Sequence, residues 1–527
     1  MFGRSGFAMS NNTSAMLRKI GPALTTRYIE ALVASGLTPV AARKRVQRTT
    51  GAYKKLTGIK FEKNTLFMFH EDDFGKPKFW KNLEEAFYTH GKSYWATIAT
   101  LRARGGICPI DRFPQVCGSP IRRKGRLSPD HILDGLKAVN FLDEFADGER
   151  SYVHFKQASM SGLSIARIRA NELAEFVALH GIKLWAQRLG LGSYDRFLLR
   201  SEDPMPLVTN IAFDLTAPAF FRPLLQVVEG KAKPGFLACD INLNGIISEE
   251  EVEAFVRKCD GAAFSPNIGR IMPMLVGDVF SAKGMSLAKR KGILAITLEN
   301  LFGYELAKAL RDLIGLLSNA GATASMNPDH LAKVMRVLTK VEGSAANLRG
   351  DLFELVIGSL VKDVEGGFAK TGERMQESET GRRVEVDVQL VQPDAKSVLI
   401  IECKAKLPRA RVSEAEVVKW YTDRVPLIYR ILTARYSREP RPFHFEFWTN
   451  GIFAASALKW LNAQSKTCDG YTVDWKDGAG LKTYAERAKN ASLRSMLNEH
   501  YFRNAMTVVV PVHADAVVEE VGTAGES

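Results

Sequence analysis

The sequence predicts a multi-domain chain: a basic, α-rich N-terminal third of α+β type, then two tandem α/β units. Three observations carry this expectation. At 527 residues the chain is long enough for three or four ordinary domains. Its net charge of +14 is concentrated: residues 1–160 hold 26 Lys and Arg against 14 Asp and Glu, while the other 367 residues hold 46 against 44. The remainder also repeats itself, with three matched stretches in the same order.

The elements follow in chain order. "PALTTRYIEALVAS" (22–35) places Leu24, Tyr28 and Leu32 at helical spacing, and Gly36 ends the run. Thr38 is a good N-cap with Pro39 at the first helical position. The next helix is read through "TPVAARKRVQRTTGAYKKL", with Val40, Val46 and Tyr53 inward and Arg43, Arg45, Arg48, Lys54 and Lys55 left polar. A helix, a short glycine-containing turn and a basic helix resemble a helix-turn-helix; with the strand "FEKNTLFMFHEDD" the stretch resembles a winged helix. A second such unit is expected from "SYWATIATLRARGG", the helix "LSPDHILDGLKAVNFLDEF" and a closing strand "SYVHF". Between them "GSPIRRKGR" supplies Arg122, Arg123 and Lys124. Charge and resemblance together make residues 1–160 the expected DNA-binding region.

The repeat pairs "ELAEFVA" near 172 with "DLFELVI" near 351. It also pairs "ISEEEVEAFVRK" with "VSEAEVVKWYTD", and "MLVGDVFSAKGMSLAK" with "FWTNGIFAASALKWLN". Ser248 and Ser413 each precede a Glu three residues on (Glu251, Glu416), the spacing of a capping box. The copies are expected at 163–310 and 340–512, joined by the small, polar "LSNAGATASMNPDH", with a disordered tail over 513–527.

In the second copy "GRRVEVDVQLV" alternates as a strand, placing Glu385 and Asp387 on one face. The apolar run of "SVLIIECKAK" reads as a buried strand that ends on Glu402 and Lys404, again on one face, with Cys403 packed on the other. An Asp, about fifteen residues, then Glu-x-Lys, all after a helix carrying Glu354, resembles the PD-(D/E)xK nuclease superfamily, and the "TNGIFAASALKWL" continuation is most similar to its Mrr-type restriction endonuclease branch. The resemblance covers about 150 residues of the second copy. It implies a restriction-endonuclease-like fold with Glu354, Asp387, Glu402 and Lys404 catalytic. It also implies Mg²⁺ or Mn²⁺ held by Asp387, Glu402 and Glu354. The carboxylates suit a hard cation that offsets phosphate charge; Lys404 suits orienting water and stabilising transition-state charge. Lys406, Arg409 and Arg411 stand either as phosphate contacts or as a solvated loop.

Carried into the first copy, the match equates Glu354 with Glu175, Asp387 with Asp214, Glu402 with Ala238 and Lys404 with Asp240. That copy is therefore expected to be degenerate. "DINLNGIISEEE" also fits EF-hand spacing at Asp240, Asn242, Asn244, Gly245 and Glu251, but "KAKPGFLAC" before it reads as a strand, so a calcium loop is not expected.

Six scattered cysteines without a CxxC pair suggest a reduced chain. The N-terminus lacks an apolar signal region, and no run reaches the ~18 apolar residues of a membrane helix. A cytoplasmic DNA endonuclease of restriction or antiviral defence type is the expectation, with DNA as partner and no membrane. A repair or recombination nuclease, or a DNA-binding regulator with a vestigial nuclease fold, are the alternatives. One live site cuts one strand, so double-strand cleavage calls for a homodimer or sequential nicks. With no P-loop signature, any ATP-driven translocation needs a defence-system partner protein.

Overall fold

The computed structural model describes residues 16–147, 150–156, 162–220, 222–228, 230–264, 268–318, 328–339, 341, 345–392, 396–406, 410–464, 466–468 and 470–502. The tail over 513–527, most of the 317–330 linker and Arg409 lie outside them; Pro328 already belongs to the helix Pro328–Leu338. The chain is a multi-domain mixed α/β protein. It divides into two compact units, residues 1–348 with 370–386, and residues 349–369 with 387–527. No described helix is long and apolar enough to cross a membrane.

The first unit begins with a helix over 16–20, then β1 (Ala23–Leu24), α1 (Thr25–Ala34), α2 (Pro39–Arg48), β2 (Tyr53–Lys55) and β3 (Phe67–His70). The three strands pair in the order β1-β3-β2. Tyr28 and Leu32 are fully buried, as their spacing requires. Gly36 takes φ +102°, where a side chain would strain, and Thr38 caps α2 by accepting from the Ala41 amide at 3.3 Å. Two expectations fail here. The helix stops at Arg48, and Lys54 and Lys55 lie on β2. Val40 is 63% exposed, because α2 turns Ala42 and Val46 inward at i, i+4.

The same order of elements recurs. After α3 (Pro77–His90) and α4 (Lys92–Ala103) come β4 (Ile107–Pro109), α5 (Phe113–Cys117), α6 (Pro129–Ala138), β5 (Leu142–Asp147) and β6 (Arg150–Phe155). Their sheet runs β4-β6-β5, so the last strand is again central. The expected long helix ends at Ala138 and its "LDEF" end joins β5, since Asn140 takes φ +59° and breaks the helix.

The rest of the first unit carries α7 (Gly162–Arg188), β7 (Leu198–Leu199), β8 (Leu215–Ala219), β9 (Gly235–Ile247), α8 (Glu249–Ala263), β10 (Ile271–Phe280), α9 (Ala282–Arg290) and β11 (Leu294–Thr297). Its sheet is ordered β11-β10-β9-β8-β7, with β8 antiparallel and β10 parallel to β9. The EF-hand-like stretch lies on β9 and the start of α8, confirming the strand reading of that segment.

The second copy repeats this plan as α10 (Ala345–Glu365), β12 (Phe368–Gln376), β13 (Arg383–Gln392), β14 (Ser397–Lys404), α11 (Glu414–Lys419), a π-helical turn (Trp420–Arg424), α12 (Val425–Arg435), β15 (Phe443–Thr449), α13 (Ala455–Ala463), β16 (Thr467–Cys468) and β17 (Tyr471–Lys476). The sheet order is β12-β13-β14-β15-β17-β16. β14 is buried from Ser397 to Cys403, as a strand paired on both sides and covered on both faces must be. Ser413 and Glu416 form the reciprocal capping box. Ser248 caps α8 alone, because Glu251 bonds Asn242 instead.

Candidate active site

β13 and β14 are antiparallel, and their ladder ends with Val388 opposite Ile401. The next pair along that register is Asp387 and Glu402. Opposed residues share a face of the sheet with Cβ atoms ~5 Å apart, so two carboxylates meet where the strands part. Both are buried, at 7% and 6% exposure. Asp387 Oδ2 accepts from the Cys403 amide at 2.7 Å, so its side chain ends the ladder. Burial, then the charge of Glu402, pushes the Asp387 carboxyl up to about 8.

Lys404 Nζ stands 4.0 Å from Glu402 Oε1, and 43% of its side chain is exposed. Its backbone carbonyl accepts from Thr449 Oγ1 at 2.7 Å. Asn450 clamps the next turn, accepting from the Lys406 amide at 2.7 Å and donating to the Lys406 carbonyl at 2.9 Å. Glu354 comes from α10 and is half-buried. Burial raises the Cys403 thiol well above the ordinary thiol range, and the charges of Asp387, Glu354 and Glu402 add to it in that order. Cys403 is buried at the end of β14, within reach of the charge of all three carboxylates.

Sequence reasoning missed Arg424. Its Nη1 donates to Glu402 Oε1 from the π-helical turn. Such turns insert one residue into a helix and often mark functional sites; here the turn carries a guanidinium to the strand end. Only "WYTDR" following a capping box would have signalled it. Among the described residues no three His, Cys, Asp or Glu side chains are arranged to hold a metal ion. The donor chemistry nevertheless fits a hard divalent cation: two buried carboxylates that repel each other, a third nearby, and oxygen ligands throughout.

The other named residues fall as follows. Lys406 Nζ pairs with Glu416 at 2.8 Å, and Arg411 is exposed on a short strand. Glu385 faces Arg169, both within the first unit, at 2.8 and 3.0 Å, and so is a structural ion pair there. Arg43 and Arg48 are exposed on α2 and Arg45 is half-buried. Lys54 pairs with Glu71 at 3.6 Å, and Lys55 donates to the Gln47 carbonyl at 2.9 Å. Arg122 and Lys124 are exposed, whereas Arg123 donates to the carbonyls of Gly261 and Phe264 at 3.3 and 3.4 Å.

The first copy requires a correction of register. β8 pairs with β9 with Leu215 opposite Cys239, so the next pair is Asp214 and Asp240. Asp214 Oδ2 accepts from the Ile241 amide at 3.0 Å, as Asp387 does from Cys403. The counterpart of Glu402 is therefore Asp240, not Ala238, and that of Lys404 is Asn242, not Asp240. A two-residue slip keeps the inward and outward faces of a strand, so the apolar pattern that guided the match does not register it.

This copy keeps four buried acids, and three of them, Glu175, Asp214 and Asp240, are neutralised by cations from within the chain. Arg200 bridges Glu175 (2.7 Å) and Asp214 (3.1 Å). Arg104 reaches Asp214 at 3.3 Å and Glu175 at 3.8 Å, and Lys258 on α8 holds Asp240 at 2.5 Å. Burial pushes the Asp214 carboxyl up, but Arg200 and Arg104 outweigh it and hold it below the ordinary carboxylate range. Three protein cations meet these three acids, and burial pushes the fourth, Glu251, up to about 7, which leaves little negative charge to attract a metal. Lys258 and Arg424 are equivalent in one respect: each brings a helix-borne cation to the strand acid.

In metal-free buffer the folded chain retains a proton on Asp387 that the unfolded chain releases between its ordinary 3.8 and about 8. Stability from this group is full below 3.8 and is lost as pH rises toward about 8. Urea midpoints measured in EDTA at pH 5 and pH 8 should fall more for wild type than for Asp387→Asn; equal falls contradict it.

No family model matches the chain, and no curated protein matches it. Among solved structures, a protein of unknown function, AF1548, is similar at 19% identity and TM-score 0.17, covering 24% of this chain and 58% of that one. The MspJI restriction endonuclease in complex with a 27-mer oligonucleotide is similar at 17% identity and TM-score 0.16, covering 41% of this chain and 49% of that one. The chain thus spans about half the length of each, and at these scores neither likeness carries an argument.

Proposed function

We propose that the chain is a metal-dependent DNA endonuclease of PD-(D/E)xK type, acting in restriction or antiviral defence. Its second copy would hydrolyse phosphodiester bonds and its first would serve as an inert partner lobe. The observation that carries this reading is the pair of buried, mutually repelling carboxylates, Asp387 and Glu402, opposed at the end of β14 beside Lys404. Mg²⁺ or Mn²⁺ would be held by Asp387 and Glu402 with Glu354 as third donor; when bound, such an ion offsets phosphate charge and lowers the pKa of its water. Lys404 orients the attacking water and stabilises charge developing on the phosphate oxygens. Arg424 fixes the Glu402 carboxylate until a cation competes for the same oxygens. Incubation with plasmid DNA tests the reading: Mg²⁺-dependent nicking that EDTA abolishes is expected. Absence of cleavage over all divalent ions would overturn it.

The two stretches with the strand order first-third-second support winged-helix units that hold DNA. Arg43 and Arg48 are exposed on α2, whose Ala42 and Val46 are buried. Arg43→Ala with Arg48→Ala should weaken duplex binding and flatten the slope of log K against log salt by about 2, since each phosphate contact contributes ~0.9. An unchanged slope would remove α2 from the interface.

One observation favours a DNA-binding regulator instead: Arg424 already occupies Glu402. Under that reading the chain binds DNA with the same salt dependence and never cleaves it.

A further inference from the structure

Within the first unit a cavity of about 270 Å³ opens between the α4–α6 region and α8. That size is at the low end of small-molecule pockets, ~300–1,000 Å³, so it suits one small ligand and not a duplex. Its wall is graded. Gln115 and Glu251, 3% and 5% exposed, line it, and each keeps one buried oxygen, Gln115 Oε1 and Glu251 Oε2, without a hydrogen-bond partner. Buried acceptors of this kind are costly, and native structures rarely leave them unmet. The more accessible side carries Arg123, Arg126 and Arg257, against one exposed carboxylate, Asp260. Phe264, 70% exposed, stands there with the Arg123 guanidinium 5.0 Å from its ring centre.

A ligand that satisfies this wall has hydrogen-bond donors at one end, an anion at the other, and a flat ring or sugar between. We propose that the cavity binds a single nucleotide, an amino-bearing base directed to Gln115 and Glu251 and its phosphate to Arg126 and Arg257. Phe264 offers a face for the ring or sugar. Arg123 is tied to the carbonyls after α8 and shapes the rim. The site is separate from Asp387 and Glu402 and does not depend on the nuclease reading. The nucleotide comes either free or as an unpaired residue of a strand.

Calorimetric titration of the full chain with AMP, CMP, UMP and inorganic phosphate tests this. AMP or CMP should bind, more tightly than UMP and at least tenfold more tightly than phosphate. Arg126→Ala should weaken the nucleotide at least tenfold; this side chain is exposed and its loss leaves the fold intact. Gln115→Leu should erase the advantage of CMP over UMP. A single-stranded oligonucleotide that displaces bound AMP identifies a strand as the source; one that does not identifies the free nucleotide. Absence of nucleotide binding, binding that Arg126→Ala leaves unchanged, or phosphate binding as tightly as AMP each overturns the proposal.

Discussion

On the proposed nuclease reading, Lys404→Ala should lower the rate of Mg²⁺-dependent DNA cleavage by about 10²–10³-fold, the usual cost of removing one group that stabilises transition-state charge. The side chain is 43% exposed and 4.0 Å from Glu402 Oε1, so it contributes little to packing. Its backbone is held by Thr449 and the following turn by Asn450, so the substitution removes the ammonium and leaves the strand end in place. Thermal stability and DNA affinity should therefore stay near wild type while turnover falls. Cleavage at an undiminished rate would show that the ammonium takes no part, and an equal signal from both proteins would point to a contaminating nuclease.

Arg200→Met destabilises the first unit by about 3–5 kcal/mol, the cost of breaking a buried charge network from one side. Arg200 is buried with both partners, and its loss leaves Glu175 held by Arg104 at 3.8 Å and the Leu243 amide at 3.0 Å. Burial opposes the charged form of Arg200 and Arg104, yet Asp214 and Glu175 outweigh it and raise both. The network is thus held by mutual compensation and not by low cost of burial. Removing charges in matched pairs, Arg200→Met with Asp214→Asn, should recover part of the loss. The readout is the urea midpoint. A single variant as stable as wild type would mean that the acids are protonated or hydrated, and that the first copy is not neutralised from within.

Local signals in the sequence located most elements. Thr38 before Pro39 and Ser413 before Glu416 set helix starts through short-range hydrogen bonds. The alternation of 383–391 and the apolar run into Glu402 marked two strands, but only the family resemblance implied that Asp387 and Glu402 meet, since that depends on the register of β13 on β14. What depends on tertiary context was not legible. The pairing of β8 with β9 moved the first copy's match by two residues, from Ala238 to Asp240, because a slip of two preserves every face. Arg424 lies 22 residues beyond Glu402 and reaches it only through a π-helical turn. Arg104 and Arg200 lie outside both strands of the repeat match, and no spacing rule links them to Glu175 and Asp214. Lys54 and Lys55 continue a helical pattern in sequence, yet pairing with β3 takes them into a strand.

Manganese titration followed by electron paramagnetic resonance addresses the core of the account, that the end of β14 holds one divalent cation. The wild-type chain should bind one Mn²⁺, released by EDTA, and Asp387→Asn should bind none. A wild-type chain that binds no ion, or an Asp387→Asn variant that still binds one, would contradict a hydrolytic centre at Asp387 and Glu402.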